Sequence, residues 1–124
     1  MKIVKTSYFK NPFLGLFMRT SDEVTLLPKH APSKIAELAR EMLSTNVVEL
    51  FVNQSALIGL MAVMNKNGCV LASQAEREEV HLLKKQGLNV HVLREAACPG
   101  NLILANDFAA ALSPLLSRGE ATKI

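Results

Sequence analysis

Three nearly unbroken apolar runs punctuate the chain, at 13–18, 57–64 and 102–105. Continuity without alternation predicts strands covered on both faces. Each run leads into a polar turn: Thr20-Ser21-Asp22-Glu23, Asn65-Lys66-Asn67-Gly68 and Asn106-Asp107-Phe108-Ala109. Asn67 and Gly68 tolerate the positive φ that tight hairpins use. A second short strand then returns, at 24–27, 69–72 and 110–112.

The period next changes from that of a strand to that of a helix. Ile35, Leu38, Ala39, Met42 and Leu43 form one stripe at helical spacing, which predicts a helix over 32–43 with Pro32 at its first position. Ser73-Gln74-Ala75-Glu76 has the form of a capping box and opens a second helix over 74–86. Gly87 is a suitable stop. Closing strands follow at 47–52 and 90–93.

The same order recurs along the chain. Leu14-Gly15-Leu16 returns as Ile58-Gly59-Leu60 after 44 positions, and Asn46-Val47-Val48 returns as Asn89-Val90-His91 after 43. Asn65 maps onto Asn106 at an offset of 41. The unit is a β-hairpin, a helix and a strand, so the fold class is α/β. The chain divides into repeat one at 8–51, repeat two at 52–93 and a partial third at 94–124. Ser117-Arg118-Gly119-Glu120 looks like a further capping box, but a single turn after it is too short to be stable alone.

Composition narrows the function. The 124 residues are 49% hydrophobic and 20% charged, enough for a core and too apolar for disorder. Aromatics are 5% and Trp is absent, so a base-stacking platform is poorly supplied. The net charge of +3 permits an acidic partner without requiring one. Cys69 and Cys98 are too few for a disulfide framework and fit a reducing cytosol. The longest apolar run is far short of the ~20 residues that span a bilayer, and the start Met1-Lys2-Ile3-Val4-Lys5 lacks the apolar stretch of a signal peptide.

Several segments together carry a family resemblance. Asn11-Pro12-Phe13-Leu14-Gly15, Ser55-Ala56-Leu57-Ile58-Gly59, Gly87-Leu88-Asn89-Val90 and Gly100-Asn101-Leu102-Ile103-Leu104-Ala105-Asn106-Asp107-Phe108 resemble the archaeal translation initiation factor 6 family. The resemblance implies the pentein fold, an α-β propeller of five ββαβ units, of which this chain holds an incomplete ring. It also implies a cytoplasmic, non-catalytic protein with no cofactor. Its partner would be the large ribosomal subunit, where it would touch a ribosomal protein and rRNA near the sarcin–ricin loop. It would keep the small subunit from joining. The alternative is a non-catalytic, self-assembling pentein remnant without ribosome binding. An incomplete ring with bare strand edges also predicts a homo-oligomer.

The candidate chemistry is sparse. His30, His81 and His91 lack metal-ligand spacing and read as surface residues. Some penteins use Cys, His and acid groups on guanidino substrates. The corresponding set here is Cys98, His91 and Asp107, but Cys98 reads as an ordinary loop thiol. Cys69 reads as a small core residue, and Lys84-Lys85 as a solvated helix face. Gly15, Gly59 and Gly100 are isolated and form no phosphate loop. The repeat places the polar turns on one rim, which makes Asn65, Asn67, Asn106 and Asp107 the candidate ribosome-binding residues; the competing reading is plain turn chemistry.

Overall fold

The computed structural model describes residues 2–124. The chain opens with a tight turn in which Tyr8 and Asn11 exchange backbone hydrogen bonds of 2.9 and 2.8 Å. Phe9 and Lys10 sit at its tip with φ of 45° and 68°. Left-handed backbone costs a non-glycine residue ~1–2 kcal/mol. The same turn recurs 44 positions later at Val52 and Ser55, with Asn53 and Gln54 at φ of 50° and 60°.

The first sheet, built from β1 (Arg19–Thr20), β2 (Val24–Leu27) and β3 (Asn46–Glu49), is accompanied by α1 (Leu14–Phe17) and α2 (Ser33–Met42). β2 is central, antiparallel to β1 and parallel to β3. α2 is the crossover that a parallel pair requires. The second sheet repeats this order with α3 (Ile58–Met61), β4 (Ala62–Met64), β5 (Gly68–Leu71), α4 (Arg77–Lys85) and β6 (Asn89–Val92). α5 (Pro99–Leu102), the hairpin β7 (Ile103–Ala105) and β8 (Ala110–Leu112), and the single turn α6 (Arg118–Ala121) follow.

The apolar runs expected as strands are therefore divided. A helical turn comes first each time and a short strand second: α1 fills the first run, with β1 just beyond it, the second run splits between α3 and β4, and the third is the end of α5 followed by β7. Gly59 shows why. A methyl group there would overlap the backbone carbonyl of Gly15, and one at Gly100 would overlap that of Gly59. The three helical turns stack backbone on backbone, α3 on α1 and α5 on α3, which an extended strand with side chains could not do. These glycines are not isolated in space.

Other local expectations shift for physical reasons. Gly68 is not at positive φ, because its hairpin does not use a left-handed tip. A side chain there would instead press on the Asn89 carbonyl of β6, 2.7 Å from the Cβ position. The cap of α4 is Glu76 rather than Ser73, and Glu79 returns its carboxylate to the Glu76 amide at 2.7 Å. Gly87 does stand just past this helix at φ 84°. Pro32 caps α2 from one position outside it.

One core joins the first two sheets. Val24, Leu26, Val48 and Leu50 meet Ile58, Ala62, Cys69, Leu71 and Leu83. A second cluster gathers Tyr8, Leu27, Ile35 and Ala36, with the Tyr8 ring stacked on Phe17 at 4.2 Å. A third ties Ile103 and Leu116 to Val63. Among the described residues no helix is long and apolar enough to cross a membrane.

Candidate functional site

The hairpin turns owe their shape to one residue each. Asn65 accepts at Oδ1 from the Asn67 and Gly68 amides, 2.8 and 3.0 Å away. Asn106 does the same for the Phe108 and Ala109 amides, both at 2.8 Å. Ser21 holds the equivalent place in the first hairpin and accepts from the Val24 amide at 3.2 Å. A short side-chain acceptor that bonds the backbone two or three residues on is what makes Asn and Ser turn formers.

The second and third turns also bond each other. Asn65 Nδ2 donates to the Asn106 carbonyl at 3.0 Å, and the Lys66 amide donates to Asp107 Oδ1 at 3.0 Å. The Lys66 ammonium lies 4.0 Å from Asp107 Oδ2 and 5.6 Å from the centre of the Phe108 ring. Three of the four candidate side chains, Asn65, Asn106 and Asp107, are thus engaged within the rim. Asn67 is exposed. Phe108 is 91% exposed, and the turn alignment did not single it out. The result is a braced polar edge from which the Phe108 ring protrudes.

The other candidates do not converge. His91 Nε2 meets Glu120 Oε2 at 3.1 Å, and Asp107 faces Lys66. Neither is bonded to Cys98, which is half-buried at the cap of α5. Cys69 is a core residue whose burial pushes its thiol up to about 12. Among the described residues no three His, Cys, Asp or Glu side chains are placed to hold a metal ion. Lys84 and Lys85 are exposed on α4.

Two polar devices escaped sequence reasoning. Arg19 leaves β1 and inserts its guanidinium among the stacked turns. Its Nη2 donates to the Gly59 carbonyl at 2.6 Å and its Nε to the Ala62 carbonyl at 3.1 Å; Nη2 also lies 3.4 Å from the Gly100 carbonyl. Desolvation by burial lowers its pKa. A lone Arg between two apolar runs carries no periodic signal.

The second device is Glu120, buried at 3% exposure. The His91 hydrogen bond is the main cause that holds its carboxyl below the usual range, with help from the Arg94 amide and the charge of Lys123, against desolvation. Ser117 caps the Glu120 amide at 3.2 Å, but the capping box expected from the sequence is only half formed: the Ser117 amide donates to Glu95 Oε1 at 3.0 Å, because the Glu120 carboxylate is taken by His91 and the Arg94 amide. The turn too short to hold itself is held by these bonds. His91 is accordingly not a free surface residue.

Comparison with known proteins gives a consistent picture. Residues 3–124 match the eIF-6 family. The chain is similar to the translation initiation factor 6 of Pyrobaculum arsenaticum, 41% identical over 115 residues that cover 92% of this chain and 52% of the relative. That of Methanothermobacter thermautotrophicus is 39% identical over 108 residues, covering 86% and 49%. That of Pyrococcus horikoshii is 34% identical over 131 positions, covering 100% and 58%. The chain spans about half the length of the curated relatives it matches.

Proposed function

Because the chain belongs to the eIF-6 family, we propose that it serves protein synthesis as an archaeal-type initiation factor that binds the large ribosomal subunit and keeps the small subunit from joining. The observation that carries this reading is the family match across residues 3–124, which leaves almost none of the chain outside it. The partner is a ribosomal protein together with rRNA near the sarcin–ricin loop. The protein works in the cytoplasm, as a wedge rather than an enzyme. Its units at 8–51, 52–93 and 94–124 are repeats of the pentein type.

The contact surface is the braced rim, with Asn65, Asn67, Asn106 and Asp107. The inter-turn bonds support this reading physically: a surface whose side chains are already fixed loses little entropy on binding. Blocking by occupancy is stoichiometric and consumes no nucleotide or metal.

Sedimentation with archaeal large subunits tests the function. Co-migration with the large subunit, and a fall in 70S particles that tracks occupancy, is the expected outcome; a chain that stays at the top of the gradient overturns it. The rim is tested separately with Asn67→Ala and the pair Asn106→Ala and Asp107→Ala. Weakening by about tenfold is expected of a central contact. Unchanged subunit binding in folded variants would return these residues to turn formation alone.

A further inference from the structure

Away from the rim, a groove of 610 Å³ runs between α4 and the segment 50–54 that follows β3, with Lys29 from the loop after β2 at its side. That volume lies within the range of ~300–1,000 Å³ typical of binding clefts. Its floor is apolar: Leu50 is buried, and Phe51 and Leu82 are half-buried. The His30 ring stands 6.4 Å from that of Phe51.

The walls carry a pattern. Arg77, His81 and Lys85 recur every fourth residue, so they share one helix face at steps of about 6 Å. Lys29 opposes them from the loop, close enough for its charge to act on Glu79. All four basic side chains are exposed. Among the described residues the ion pairs are Lys66 with Asp107 and His91 with Glu120, so none of the four has a carboxylate partner.

Of the acidic groups in the groove, Glu79 is occupied by the Glu76 and Asn53 amides. Glu76 and Glu78 lie at the start of the helix. A nucleic-acid strand tracking the basic stripe would carry its phosphates past both. A peptide can place charge selectively. Same-face side chains of an extended peptide recur at about 6.6 Å, close to the step of the stripe.

We propose that this groove binds an extended peptide segment in which carboxylate side chains alternate with apolar ones. The carboxylates pair with Arg77, His81, Lys85 and Lys29, and an apolar anchor rests on Phe51 and Leu82. The site lies on α4, and its test does not depend on ribosome binding.

The test is fluorescence anisotropy of the full chain with a fluorescein-labelled peptide of alternating glutamate and leucine. A lysine–leucine peptide and an oligouridylate serve as comparisons. The acidic peptide should bind, more weakly as salt rises, and the basic one should not. Arg77→Glu and Lys85→Glu should each weaken binding by about fivefold, while Lys34→Glu, on α2, should not. These surface changes leave the core intact, and circular dichroism verifies the fold. Equal binding of the two peptides, indifference to the charge reversals, or displacement by oligouridylate at lower concentration than by unlabelled peptide would each overturn the proposal.

Discussion

Glu79 and Glu120 perform the same act 41 positions apart. Each is the third residue of its helix, and each sends a carboxylate oxygen back to a backbone amide: Asn53 at 2.9 Å for Glu79, Arg94 at 3.2 Å for Glu120. The two amides are themselves 41 positions apart. In the first sheet the third helical residue is Ile35, buried in the cluster that holds Tyr8. A polar tie and an apolar contact thus serve one architectural purpose.

The two carboxylates respond to acid in opposite directions. Glu120 has a lowered pKa, chiefly through the His91 hydrogen bond. Its contribution is present above the unfolded carboxylate pKa and is lost as pH falls through the lower folded value. Glu79 has a raised pKa, chiefly through burial. Its effect favours the folded state at low pH and declines as pH rises through the folded value. Urea denaturation of Glu120→Gln should therefore show a deficit at neutral pH that closes on acidification. Glu79→Gln should change relative to wild type with the opposite slope. Parallel curves for both variants would refute these assignments.

Glycine is required at two of the three stacked turns. Gly59→Ala and Gly100→Ala place a methyl group on backbone carbonyls, which cannot rotate away. A loss of ~3 kcal/mol or more is expected, at the upper end for overpacking. Gly15→Ala meets nothing within 4 Å and should be neutral or gain up to ~1 kcal/mol from helix propensity. Thermal melts of the three variants check this order.

Arg19 should not be replaceable by lysine. A single ammonium lacks the planar fork that reaches the Gly59 and Ala62 carbonyls together. Arg19→Met should cost ~2–3 kcal/mol in chemical denaturation, since charged hydrogen bonds are lost and carbonyls are left unpaired. Arg19→Lys should recover only part of that. Full recovery by lysine would mean that charge alone matters there.

The two thiols should differ in reactivity. Cys69 is buried with its pKa raised to about 12, so little thiolate forms at neutral pH. Cys98 is half-exposed. Native protein treated with a thiol reagent should lose one thiol rapidly, and the second should react only after denaturation. Rapid labelling of both would show that the joint core of the first two sheets opens readily.

Much of the local order was legible in the sequence, because its causes lie within a few residues. The stripe Ile35, Ala39 and Met42 marked α2, Gly87 marked the end of α4, and Asn65 and Asn106 marked hairpin turns. The succession of hairpin, helix and strand followed from these signals. Tertiary structure decided how the apolar runs divide. Buried strand and buried helical turn look alike in a short run, since periodicity cannot separate them. Only the approach of Gly59 to Gly15, across 44 positions, fixes the helical turn. The same distance hides the Arg19 clasp, the joining of Asn65 and Lys66 to Asn106 and Asp107, and the seat of Glu120 against His91. Each of these bonds joins groups that stand 29 or more positions apart in the chain, and no propensity or spacing rule records which distant backbone a side chain will meet.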